Sequence, residues 1–354
     1  MKKHLITGGA GFIGSHLADY LIQKGDEVSI IDNLSTGRFS NIAHLETERR
    51  FRCIIDDVRN QPLVEQLIRD VDCVYHLAAS VGVRLVIEHP TDALINNVVG
   101  TEIVLKNACR YRRPILIAST SEVYGKSRNL QFQEDDDCVM GPTCKSRWGY
   151  ATSKAIDEFL ALAYFQEKHL PVVIIRLFNT VGPRQTGRYG MVIPNLVRQA
   201  LLNEPLTVFG DGNQSRCFGH VRDIVPVLAD LISRATAYGS VFNVGTQEEV
   251  TINALATRII EMTGSTSKIR YIPYYLAYPH GFEDMERRVP SLTRLQNLTQ
   301  YQPYYMLDDI LRDVIWDVRK ELGSKENSLS RDARQAESAE SYMSAKPHPI
   351  PAVL

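Results

Sequence analysis

The glycines of Thr7-Gly8-Gly9-Ala10-Gly11-Phe12-Ile13-Gly14 sit between a strand pattern, His4–Thr7, and an amphipathic helical stretch, Ser15–Lys24. That order constrains the fold more than any other feature. Glycines permit a tight turn and let the backbone approach a pyrophosphate, whose charge then faces a helix N-terminus. A second strand pattern, Glu27–Asp32, ends on a carboxylate 21 residues after Gly11 (32 − 11). An acid at that place can accept both hydroxyls of an adenosine ribose and repels a 2′-phosphate. NAD is therefore favoured over NADP, although Arg38 nearby leaves the second open.

The pattern continues with strands at Phe51–Ile55, Cys73–Leu77, Pro114–Ser119 and Pro171–Arg176, separated by helical stretches at Leu63–Arg69, Val98–Tyr111 and Tyr150–Lys168. Alternation at this spacing predicts an α/β fold: a doubly wound, Rossmann-type parallel sheet with helices on both faces. After about Asn179 the elements shorten, with a turn at Gly210-Asp211-Gly212, a buried strand at Val241–Gly245 and a helix at Ile252–Thr263 capped near Thr251. The expected organisation is an NAD-binding domain over 1–180 with a segment returning near 217–247, a smaller α/β substrate-binding domain over 181–323, and a tail over 324–354. The tail is rich in Ser, Ala and charge, ends in alternating prolines, and is expected to be disordered.

Composition narrows the partners. The formal net charge is −1, from 40 basic and 41 acidic residues, so neither a nucleic acid nor a membrane surface is expected. No apolar run approaches the 20 residues of a membrane span, and no cleavable leader precedes the first strand, which points to the cytoplasm. None of the six cysteines forms a CxxC pair, and no metal site is expected.

Chemistry enters with Tyr150-Ala151-Thr152-Ser153-Lys154, where i, i+4 spacing puts a phenol and an ammonium on one helical face. A tyrosine with its ordinary pKa near 10 is a poor base at neutral pH. A neighbouring cation stabilises the phenolate and makes proton removal from an alcohol feasible. Ser119-Thr120-Ser121-Glu122 closes the preceding strand, at the edge where open α/β sheets bind ligands. Asp57-Val58 follows the third strand, where an adenine would lie, and His76 reads as a packed strand residue. The candidate cofactor set is thus Gly8, Gly11, Phe12, Ile13, Gly14, Asp32, Asn33, Asp57, Val58, Tyr150 and Lys154.

Together these residues resemble the extended short-chain dehydrogenase/reductase family, in its nucleotide-sugar epimerase, dehydratase and decarboxylase branch, over roughly residues 1–323. The resemblance implies NAD-dependent oxidation at C4 of a UDP-sugar, with Tyr150 as base, Lys154 as its electrostatic support and Thr120 orienting the hydroxyl. Asn179 and Arg184 lie in a segment similar to one that contacts the diphosphate, and Arg216 follows a stretch similar to the uridine-binding one.

The branch members differ in the fate of the 4-keto sugar. Dehydratases carry an Asp where this chain has Ser121, and simple galactose-type epimerases usually lack a carboxylate at the position of Glu122. Thr120-Ser121-Glu122-Val123-Tyr124-Gly125 is similar to UDP-glucuronate decarboxylases, as are residues 141–150 and 281–291, the latter carrying Arg288. The implied roles are Ser121 and Arg288 toward the sugar carboxylate and Glu122 or Arg288 in proton delivery at C5; Arg288 as a phosphate clamp stays open. Decarboxylation of UDP-glucuronate to UDP-xylose is favoured, with 4-epimerisation of UDP-glucose or UDP-glucuronate as the alternative. A non-catalytic NAD-binding sensor is the remote reading, since such proteins typically lose the Tyr or the Lys. The family also implies a homodimer built on the Val98–Tyr111 and Tyr150–Lys168 helices.

Overall fold

In the computed structural model, residues 1–82, 86, 88–188, 190–277, 285 and 287–323 are described. The tail at 324–354 and most of the 281–287 stretch before Arg288 lie outside them.

Seven strands form one parallel sheet: β1 (Lys3–Thr7), β2 (Glu27–Asp32), β3 (Phe51–Ile55), β4 (Cys73–His76), β5 (Ile115–Thr120), β6 (Val172–Leu177) and β7 (Ser240–Val244). Their spatial order is β7-β6-β5-β4-β1-β2-β3. The chain builds outward from β1 to β3, then returns to the other side of β1 and builds outward again. This is the doubly wound Rossmann arrangement, and the reversal between β1 and β4 opens a crevice beyond the carboxyl ends of the strands.

Period-2 alternation explains why both faces are covered. On β5, Leu116 points to one apolar cluster while Ile115 and Ile117 point to the other; on β6, Val173 and Ile175 oppose Val172 and Ile174. The first cluster takes Leu17, Ala18, Leu21 and Ile22 of helix α1 (Phe12–Gln23) and Ile224, Val225 and Leu228 of a later helix, Val221–Ser233. The second takes Leu67 and Ile68 of α2 (Gln61–Arg69), Val104, Leu105 and Ala108 of α3 (Pro90–Arg110), and Ala161 of α4 (Arg147–Lys168).

Helix α3 begins well before the expected Val98. Pro90 occupies its first turn, where a missing N–H costs nothing. Helix α4 ends at His169, which adopts a left-handed conformation (φ 55°) and returns its N–H to Phe165. A third cluster is drawn from residues between Val181 and Val318, including Leu196, Leu255, Ile259, Ile310 and Leu311. Thr251 caps the helix Ile252–Thr263 by accepting from the Ala254 N–H at 3.1 Å.

Candidate active site

A cavity of about 1180 Å³ opens at the crevice and is lined by both halves of the chain. Its first end is made of backbone. Gly8 has φ 72°, and a Cβ there would stand 2.8 Å from the Ala78 nitrogen. A Cβ on Gly14 would stand 2.3 Å from the Gly8 carbonyl oxygen. Gly11 is the N-cap of α1 and supplies no side-chain cap, so the first N–H groups of the helix, from Phe12, Ile13 and Gly14, stay directed at the cavity they line. Asp32 is buried beside them and accepts from Ala10 N at 2.9 Å and Leu34 N at 2.8 Å. Burial raises its pKa, against those backbone donors. Each carboxylate oxygen has capacity for a further donor such as a ribose hydroxyl. The turn, the uncapped helix and the acid fit a dinucleotide such as NAD.

Asn33 and Val58 also line this end, but Asp57 does not. Its carboxylate is taken by Arg59 at 2.8 Å and Asn33 at 3.0 Å, and the Arg59 hydrogen bonds hold it far below the usual carboxylate range. The neighbouring Asp56 lines the cavity instead.

The second end is made of side chains. Strand β5 delivers Thr120, and the short 3₁₀ turn after it delivers Ser121 and Glu122. Helix α4 delivers Arg147, Tyr150 and Lys154, and the two-residue strand Arg287–Arg288 delivers Arg288. All seven line the cavity. Glu122 is held between two buried guanidinium groups, Arg147 Nη1 on Oε2 and Arg288 Nη1 3.5 Å from Oε1. Arg147 was not anticipated. Its signals are its place in the 141–150 stretch and three residues before Tyr150, one helical turn away on the same face.

Tyr150 is half-buried, with its hydroxyl deep in the site near Thr120. Burial raises the phenol well above its ordinary pKa, and the Glu122 and Asp157 charges raise it further; Thr120 and Arg147 work in the opposite direction. Lys154 lines the cavity with Tyr150, and its ammonium meets Asp157 Oδ2 at 2.8 Å, one turn further along α4. Burial and two carboxylates outweigh Thr120 and Arg147, so the resting phenol keeps its proton.

The remaining candidates divide. Asn179, Arg184 and Arg216 line the cavity. Asn179 donates to the Cys217 carbonyl at 2.9 Å, and Arg216 donates to that of Ser215 at 2.7 Å. Arg184 is turned toward α1 and pairs with Asp19 at 2.7 Å. A shell of buried polar groups stiffens the β5 end: Arg176 makes a two-nitrogen pair with Glu158 (3.0 and 2.7 Å), Glu158 also takes the Ser119 hydroxyl, and the Arg176 guanidinium lies 4.7 Å over the Tyr124 ring.

The family model described as GDP-mannose 4,6 dehydratase matches residues 5–314. The chain belongs to this family. It is 39% identical over 315 residues to UDP-N-acetyl-alpha-D-glucosaminuronate decarboxylase of Bacillus cytotoxicus, covering 89% of this chain and 97% of that protein. It is 36% identical over 327 residues to UDP-glucuronic acid decarboxylase 1 of Danio rerio, covering 92% of this chain and 75% of the relative. Among solved structures, UDP-glucuronic acid 4-epimerase of Bacillus cereus, in complex with UDP-glucuronic acid and NAD, superposes with a TM-score of 0.81 at 29% identity, covering 90% of this chain and 99% of that one. The fold and nucleotide-sugar family expected from the residues are those found.

Proposed function

We propose that the protein is an NAD-dependent UDP-uronate decarboxylase, with UDP-glucuronate as substrate and UDP-xylose as product. The observation that carries this reading is Glu122 held between Arg147 and Arg288 in the cavity that also holds Tyr150 and Thr120. The glycine turn of Gly8, Gly11 and Gly14 and the Asp32 carboxylate would hold NAD, which would supply reversible hydride acceptance from C4 of the sugar.

The chain's own groups do the rest. Thr120 orients the C4 hydroxyl toward Tyr150, which removes its proton once the phenol is ionised; Lys154 supplies the nearby positive charge. The new C4 carbonyl is β to the C6 carboxylate, so the C5–C6 bond breaks to release carbon dioxide and its electron pair moves toward that carbonyl. Ser121, Arg147 and Arg288 orient the carboxylate before it leaves. Glu122 relays the proton that is added at C5, and Tyr150 then returns its proton to the C4 oxygen. Asn179 and Arg216 are assigned to the UDP portion. Arg184 joins them only if it leaves Asp19.

Two sequence relatives named as decarboxylases favour this reading over 4-epimerisation, which the Bacillus cereus structure supports less strongly. They also divide it, since one acts on a sugar with an N-acetyl group. The test is to incubate the protein with NAD and, in turn, UDP-glucuronate and UDP-N-acetylglucosaminuronate, and to weigh each product. Loss of carbon dioxide from one of them supports decarboxylation and names the substrate. Unchanged mass with inverted C4 overturns it in favour of the epimerase.

A homodimer is part of the same proposal. Leu94, Ile95 and Val99 of α3 and Ile156 and Phe159 of α4 are exposed, Phe159 by 74%, which supports two copies packing these helices together. Cytoplasmic location is supported by six free cysteines; among the described residues no helix is long and apolar enough to cross a membrane.

A further inference from the structure

Behind the reaction end runs a buried polar chain of which those chemical steps use only Lys154. Thr7, His76, Thr101, Asp157 and Lys154 are all enclosed, at 0–2% exposure, and come from β1, β4, α3 and α4. Ala78 donates its N–H to Thr7 Oγ1 at 3.2 Å. Thr7 Oγ1 meets His76 Nδ1 at 2.8 Å, and His76 Nε2 meets Thr101 Oγ1 at 3.0 Å. Thr101 in turn lies near enough to Asp157 to favour its charge, and Asp157 Oδ2 receives Lys154 at 2.8 Å.

Burial pushes His76 down to about 3, with the Lys154 charge adding to the effect, so the ring is neutral and carries one N–H. Thr101 Oγ1, 3.0 Å from His76 Nε2, lies near enough to Asp157 to favour the carboxylate's charge. On the other side of the ring, Thr7 Oγ1 stands 2.8 Å from His76 Nδ1 and receives the Ala78 N–H. The chain starts where a Cβ on Gly8 would collide with Ala78, at the cofactor turn.

We propose that Asp157 is a positioning residue: through this chain it fixes the Lys154 ammonium, charged, at the wall of the cavity where the cofactor binds. A buried carboxylate without a counter-charge is costly, and a buried lysine without one gives up its proton. Each therefore requires the other. Burial raises the Asp157 pKa, and Lys154 and Thr101 offset part of that; Glu158 is the like charge nearby. An ammonium has three donors, and Asp157 takes one of them while Lys154 still lines the cavity. Around Tyr150 the charges are Glu122 and Asp157 on one side of the balance and Arg147 on the other. Asp157 does not line the cavity; it holds Lys154 and adds a negative charge that raises the Tyr150 phenol.

The inference rests on the proposed NAD site, and its test uses no sugar, so its failure is separable from failure of the decarboxylation reading. NAD affinity is measured by calorimetry for the wild type and Asp157→Asn at pH 7 and pH 9. Without the carboxylate, Lys154 loses its charge as pH rises, and an anionic dinucleotide is held less well. Asp157→Asn is expected to weaken NAD binding about tenfold more at pH 9 than at pH 7, while the wild type changes little. A purely structural role lowers Tm and shifts affinity equally at both pH values, and that result overturns the proposal. Should Asp157→Asn fail to fold, Thr101→Val removes the intervening hydroxyl in nearly the same volume. It is expected to show the same pH-dependent loss, about threefold, and equal affinities at the two pH values overturn the proposal through this variant too.

Discussion

At one end of the cavity, Gly8, Gly11 and Gly14 bring backbone close to backbone, and recognition falls to N–H groups and one acid, Asp32. At the other end, Glu122, Arg147, Tyr150, Lys154 and Arg288 arrive on a 3₁₀ turn, a helix and a strand far apart in the chain, and recognition falls to charge. The first end is a local geometry that tolerates no added atom. The second is a balance among ionised groups, in which each residue's state depends on its neighbours. An enzyme of this family can therefore keep the first end constant and change reaction at the second.

Substitutions should expose that difference. Tyr150→Phe is expected to lower turnover about 1000-fold while NAD affinity is retained, because the proton acceptor alone is lost. Calorimetry beside product assay checks it; comparable losses in both would mean that the two ends are not separable. Glu122→Gln comes next, slowing decarboxylation about 100-fold with less effect on C4 oxidation. NADH absorbance in a single turnover distinguishes the two steps, and unaffected product formation removes Glu122 from the mechanism. Gly14→Ala puts a Cβ 2.3 Å from the Gly8 oxygen and should weaken NAD about tenfold or more, with a lower Tm.

The smallest effect is expected at Asp57→Asn, since the acid faces Arg59 and not the cavity. NAD affinity should change by less than about threefold, and stability at neutral pH by under about 1 kcal/mol, because the Asp57–Arg59 pair is solvent-screened. The sign with pH is fixed by the pair. Arg59 depresses the folded-state pKa of Asp57, so its contribution is present above the ordinary carboxylate value and is lost as pH falls. The Tm difference between variant and wild type should therefore shrink in acid; a constant difference contradicts that placement.

The same contrast explains what the amino-acid sequence disclosed. Strands Glu27–Asp32 and Phe51–Ile55 lie where their periodicity put them, and so does the Thr251 cap, because alternation and capping are local. The glycine turn was equally legible, since its constraint is written in adjacent residues. Asp157 was hidden because its meaning depends on Thr101 and His76, which reach it from other elements. Arg184 is the mixed case: it lines the cavity where its motif placed it, while its guanidinium pairs with Asp19 of α1, a contact that no local pattern shows. Asp57 has its carboxylate on Arg59, two residues away, while the adjacent Val58 lines the cavity.

The charge-built end makes the central claim, and running the reaction in heavy water tests it most directly. With UDP-glucuronate and NAD, the account predicts a UDP-pentose carrying one deuterium at C5, where the proton is added after carbon dioxide leaves. A UDP-hexuronate with all its carbons, inverted at C4 and free of deuterium at C5, would contradict it.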